Sequence, residues 1–168
     1  MDNRPTFKTD NDEPIRAGGV LFYKKDSLTN QTKFLMQYTL RENRYTKEIK
    51  KVYEDIGGKT DECDKDIYDT IIREVMEETN NIITREQIET QFKSKYNKLY
   101  LKKSKYCLFI LPADETIINI DRRKYGKQES SGKERTFHWI DSQLLLRSGT
   151  PFNERIWMLR KKIIECLE

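Results

Sequence analysis

The chain has 168 residues, a net charge of +4 and a sequence pI of about 8.8, with hydrophobic and charged residues each making up 36%. That length closes the core of one domain, and 11% aromatics with clear apolar runs exclude a disordered chain. Cys63, Cys107 and Cys166, widely spaced and without a CxxC, exclude a disulfide framework and a cysteine zinc site; the lone His138 excludes the usual multi-histidine centres. With no apolar leader and no run of bilayer length, a soluble, cytoplasmic protein with no membrane partner is expected, the nucleus remaining open.

In chain order, residues 1–14 are polar, hold Pro5 and Pro14 and show no period, so they read as a flexible N-terminal arm ahead of a single domain over 15–168. Ala17 to Tyr23 reads as a strand whose two glycines permit close backbone approach, and Phe34 to Leu40 as its hairpin partner. Arg41 to Lys51 is basic around Tyr45, suited either to a phosphate or nucleotide contact or to a solvated loop. Val52 to Ile56 leads into a glycine turn and then an acidic helix.

Thr84 to Gln87 has capping-box spacing and starts a short helix toward Phe92. Lys93 to Lys105 interleaves lysines with Tyr96, Leu99, Tyr100 and Leu101, either an RNA or polyphosphate surface or an ordinary half-buried strand. Tyr106 to Leu111 is a central strand stopped by Pro112, and Ile117 to Ile120 is offered as a further strand. Glu134 to Ile140 is another strand, and Asp141 caps a short helix containing Leu144 to Leu146. Asn153 caps a last helix, Glu154 to Leu167, whose buried face is expected to include Ile156, Trp157, Leu159, Ile163, Ile164 and Leu167. Strands, one inserted acidic helix, more strands and a closing helix make a mixed α/β plan.

The stretch from Gly57 to Ile82 carries the chemistry. On a helix, Glu74, Glu77 and Glu78 share one flank, while Ile67, Tyr68, Ile71, Ile72, Val75 and Met76 fill most of the other side. Three neighbouring carboxylates repel one another, and a hard divalent cation such as Mg²⁺ or Mn²⁺ is what makes the arrangement favourable. The bland alternative is the charged, solvated face of an ordinary helix.

This stretch resembles the Nudix box of nucleoside-diphosphate-X hydrolases, G-x5-E-x7-R-E-U-x-E-E-x-G-U with U aliphatic. Gly58 matches the first glycine, and Arg73, Glu74, Val75, Glu77 and Glu78 fall on the core without a gap. Two positions depart: the first acidic residue falls on Asp64, one residue too far from Arg73, and Asn80 stands where the closing glycine belongs. Asp61, Asp64 and Asp66 all remain open as the partner of Arg73. Asn at the closing position is physically mild, since it tolerates the left-handed conformation that ends a helix.

The resemblance implies an α/β/α sandwich with a mixed β-sheet between helices. It also implies a metal-dependent pyrophosphohydrolase that cleaves a diphosphate in a nucleoside diphosphate linked to another moiety, by attack of an activated water. Glu74, Glu78 and Glu77 would be metal ligands with the Gly58 carbonyl; Glu77 is also a candidate base, and Arg73 orients the cluster. A later acidic residue serves some members, and Glu134, ahead of Glu129, is the candidate here. Substrate alternatives are an mRNA cap, with Lys93 to Lys105 as the RNA path, or an inositol pyrophosphate. The alternative of another class is an inactive Nudix-fold module that binds a nucleotide or RNA.

Overall fold

The computed structural model describes residues 2–168. Its frame is a seven-stranded mixed sheet whose main path runs β5 (Ile49–Glu54), β4 (Thr32–Glu42), β3 (Ala17–Lys25), β8 (Tyr106–Pro112) and β7 (Asn97–Leu101). β6 (Ile56–Lys59) adds to β3, and β9 (Arg135–Asp141) adds to β4. Only β3 and β8 are parallel, from Ala17 opposite Tyr106 to Tyr23 opposite Pro112. Asp55 stands at a hand-off: Glu54 still pairs with Gln37 of β4, whereas Ile56 already pairs with Val20 of β3.

The two-residue period of the strands sorts the core into two halves. Val20, Phe22, Leu35, Phe109, Leu111 and Phe137 face the helices α1 (Ile67–Glu78) and α2 (Arg85–Phe92). Leu21, Phe34, Met36, Leu108 and Ile110 face α4 (Glu154–Glu165), which contributes Ile156, Leu159 and Ile163. β8 is apolar throughout because both of its faces are covered. The result is a helix–sheet–helix sandwich, as the sequence implied.

α1 starts where Asp66 accepts a hydrogen bond from the Asp69 amide. Its Ile67, Ile71, Ile72 and Val75 are buried, at about 2 kcal/mol each. That far outweighs the roughly 0.5 kcal/mol of like-charge repulsion between carboxylates one turn apart, so packing holds the acidic flank in place. The helix ends on Asn80 and Asn81, both left-handed at φ 54 and 61.

Three expectations differ from what is observed. The segment read as a flexible arm carries a short ladder, β1 (Phe7–Lys8) against β2 (Pro14–Ile15), and is fastened to the body by the Thr60 hydroxyl donating to the Pro5 carbonyl at 2.8 Å. The strand offered for Ile117 to Ile120 is instead one turn of helix, α3 (Glu115–Ile118), because Asp114 accepts from the Thr116 amide and caps it. Trp157 is 43% exposed rather than on the buried face of α4, its ring stacked with the Arg160 guanidinium at 3.8 Å. No helix among the described residues is long and apolar enough to cross a membrane.

Candidate active site

Arg73 organises the outer flank of α1. Its Nε and Nη2 donate to the two oxygens of Asp64, each at 3.0 Å, its Nη1 reaches Glu74 at 3.0 Å, and Nη2 also donates to the Lys59 carbonyl at 2.8 Å. Asp64 is therefore the partner among the three aspartates. Asp66 is occupied in capping α1, and Asp61 accepts from the Cys63 amide. Burial pushes the Asp64 carboxyl up, but the Arg73 fork and the Thr70 hydroxyl more than offset it and hold it low.

Glu74 and Glu78 pack onto the glycine turn. A Cβ at Gly58 would lie 2.5 Å from the Glu74 carboxylate carbon, so that carboxylate rests directly on the Gly58 backbone. Glu78 is 7% exposed, and its Oε2 accepts from the Gly57 amide at 3.0 Å and from Gln37 Nε2 at 2.9 Å. Burial raises the Glu74 carboxyl despite Arg73, and Glu77 adds to the rise. Burial followed by the charge of Glu74 pushes Glu78 well above the usual carboxylate range. Glu77 stands apart, its side chain 56% exposed and 3.4 Å from Arg73. Among the described residues no three His, Cys, Asp or Glu side chains are gathered as a formed metal site.

The loop after α3 is fastened to the end of α1 by two side chains. Arg135, 2% exposed, donates to the carbonyls of Glu78, Tyr125 and Gly126 at 2.7 to 3.1 Å, satisfying the C-terminal turn of α1. Asn80 Nδ2 donates to the carbonyls of Tyr125 and Gln128, both at 2.9 Å. This brings Glu129, not Glu134, to the cluster. Glu129 helps to raise both Glu74 and Glu78, and its Oε1 is buried without a partner. Glu134 is exposed, next to inward-facing Arg135 and so on the other face of the strand, and it contributes only its backbone carbonyl, to Thr39.

Beside the cluster, Glu54 is buried between Arg41, at 2.8 and 3.0 Å, and Lys133 at 3.1 Å. Burial works against its charge, but the two cations carry its carboxyl below the usual value. Asp55, on the opposite face, accepts from the Tyr106 hydroxyl and from Arg155 at 3.2 Å. Arg41 is thus committed to Glu54, while Lys93 to Lys105 covers the end of α2, β7 and the turn after it, at the sheet edge opposite β5.

No family sequence model and no curated protein matches the chain. Among solved structures, a Nudix hydrolase from M. smegmatis, RenU, superimposes with a TM-score of 0.53 at 11% identity, over 96% of this chain and 94% of that one. The chain has the Nudix fold. A MutT/nudix family protein from Enterococcus faecalis is also similar, with a TM-score of 0.45 and 14% identity over 92% of this chain and 64% of that one. In this Nudix fold, Gly57 to Asn81 forms the loop and helix on which Arg73, Asp64, Glu74 and Glu78 meet.

Sequence reasoning missed Gln37, Glu54, Asp55 and Arg135. For Arg135 a signal existed, since it shares strand parity with the apolar Phe137 and Trp139. For the others the partners lie too far along the chain to be read.

Proposed function

We propose that this chain is a divalent-cation-dependent Nudix pyrophosphohydrolase that cleaves the diphosphate of a nucleoside diphosphate linked to another moiety. The observation that carries the reading is the carboxylate pair of half-buried Glu74 and buried Glu78, resting on the Gly57–Gly58 backbone with both carboxyls raised. A carboxylate pair whose charged form is disfavoured by burial and mutual repulsion gains most from a cation, and all-oxygen donors suit Mg²⁺ or Mn²⁺.

Glu74 and Glu78 would hold the ion, with Glu77 and the Gly58 carbonyl at the margin. When bound, such an ion neutralises diphosphate oxygens and lowers the pKa of water. Arg73 fixes the Glu74 rotamer through a guanidinium that is itself anchored on Asp64. The Gly57 amide and Gln37 hold one oxygen of Glu78. Glu129, with an unpartnered buried oxygen beside the cluster, is the preferred general base, ahead of Glu77, whose side chain lies in solvent.

The test is product release from nucleoside triphosphates, dinucleoside polyphosphates, nucleotide sugars, inositol pyrophosphates and capped RNA, with Mg²⁺ or Mn²⁺ and with chelator, beside Glu78→Gln. Metal-dependent cleavage lost in the variant supports the hydrolase and names its substrate class. Binding of a nucleotide without turnover in any arm would overturn it in favour of a binding module.

A further inference from the structure

Gln37 is wholly buried in β4, directly after the buried apolar run Phe34, Leu35 and Met36. Its amide nitrogen has two hydrogens and meets two acceptors, Glu78 Oε2 at 2.9 Å and the Asp55 carbonyl at 3.2 Å. The Asp55 carbonyl can only accept, and Glu78 Oε2 already accepts from the Gly57 amide, so the nitrogen must face them. The remaining atom, Oε1, is then a buried acceptor with no hydrogen-bond partner, which is unfavourable for the fold. A methionine has nearly the same shape and removes that stranded oxygen, but it also withdraws a donor from the buried Asp55 carbonyl and from Glu78. The gain and the loss oppose each other, so stability alone does not single out a glutamine here.

The Glu78 side supplies the reason. The Gly57 amide donates to the same Oε2 at 3.0 Å, so both donors converge on one oxygen of the carboxylate, and no described residue donates to the other. The second Gln37 hydrogen bond ties this grip to the main chain at Asp55, where the strand transfers from β4 to β3. The Asp55 side chain is in turn clamped by Tyr106 and by Arg155 of α4. The amide cannot swing without breaking a main-chain anchor.

We infer that Gln37 is a positioning residue: it locks Glu78 through Oε2 so that Oε1 alone is presented to the cation. This rests on the pyrophosphohydrolase reading, and it acts on the metal site without belonging to it. A residue that merely filled space would affect folding. One that aims a ligand should affect metal affinity and turnover while leaving the fold alone.

The experiment compares wild type, Gln37→Met, Glu78→Gln and the double variant. It reads thermal unfolding of the metal-free protein, Mn²⁺ binding by calorimetry, and kcat and KM on the substrate found above. Expected for Gln37→Met are a folded protein melting within about 5 °C of wild type, Mn²⁺ binding weakened at least threefold, and kcat down at least tenfold with KM nearly unchanged. In the Glu78→Gln background the same change should add almost nothing, the non-additivity of two residues acting through one carboxylate. Wild-type Mn²⁺ binding and kcat in Gln37→Met, or full additivity in the double variant, would overturn the inference. So would loss of folding in both Gln37→Met and Gln37→Leu, because Gln37 would then be structural. Should wild type itself bind no Mn²⁺ and cleave nothing, the pyrophosphohydrolase reading fails first, before any substitution is made.

Discussion

A single methyl group at Gly58 tests whether Glu74 depends on bare backbone beneath it. The added Cβ would sit 2.5 Å from the carboxylate carbon and Oε1 of Glu74 and 2.7 Å from Oε2. Ordinary carbon contacts lie at about 3.5 to 4.0 Å, so in Gly58→Ala the carboxylate must retreat by about 1 Å. That movement also strains its 3.0 Å contact with Arg73 Nη1. A displacement of that size at a reacting centre costs about 100-fold in rate, or about 2.7 kcal/mol of barrier. Stability should change much less, because alanine lowers unfolded-state entropy by about 0.4 to 1 kcal/mol and so offsets part of the repacking strain. Steady-state kcat/KM at saturating Mg²⁺, measured beside thermal unfolding, separates the two effects. Gly58→Ala combined with Glu74→Asp, one methylene shorter, should regain part of the lost rate. Turnover within threefold of wild type in Gly58→Ala alone would refute the reasoning.

Asp64→Asn removes the charge from a pair in which the Asp64 side chain is 2% and Arg73 19% exposed, and should cost about 3 kcal/mol, read from denaturant midpoints; a loss under 1 kcal/mol would count against Asp64 as the anchor. For the metal-free protein, Glu74 and Glu78 are raised in the folded state, so their charge-burial penalty is present at neutral pH and lifted as pH falls toward the ordinary value of 4.5. The melting temperature should therefore rise on mild acidification. It should fall again below about 4.5 as Asp64 and Glu54, both held low, take up protons. Glu78→Gln should start higher at neutral pH and lose part of the acid rise, so an unchanged pH profile would exclude Glu78 as a source. Glu129→Gln should lower kcat by about 100-fold or more, whereas Glu134→Gln should leave it unchanged; the reverse ranking in steady-state kinetics would restore Glu134.

The sequence made the acidic helix legible because packing and chemistry coincide there: aliphatic residues at helical spacing fix one face, and the three glutamates fall on another. Asn80 was readable as a helix end for a backbone reason, but its second role, tethering the Glu129 loop, depends on carbonyls 45 and 48 residues away. The choice among Asp61, Asp64 and Asp66 was not legible, since all three lie within one turn-rich segment and only the cap on Asp66 and the Arg73 fork on Asp64 separate them. Strand parity could have set Glu134 aside. Ile117 to Ile120 was too short an apolar run to tell strand from helix, and Asp114 decided it by capping. Gln37, Glu54 and Asp55 read as unremarkable polar residues because their meaning lies entirely in partners brought by other strands and by α4.

The hand-off at Asp55 bears on how this chain can be shortened. Arg155 supplies the buried countercharge for Asp55, and its guanidinium covers the Tyr106 ring at 4.4 Å. A truncation ahead of Asn153 would do more than trim a surface helix: it would uncover the apolar face of the sheet and leave a carboxylate without its countercharge directly behind the glycine turn. Protease nicking or an early stop codon in α4 should therefore silence the distant carboxylate cluster along with the helix itself, and boundaries chosen for expression or domain fusion need to run past Glu165.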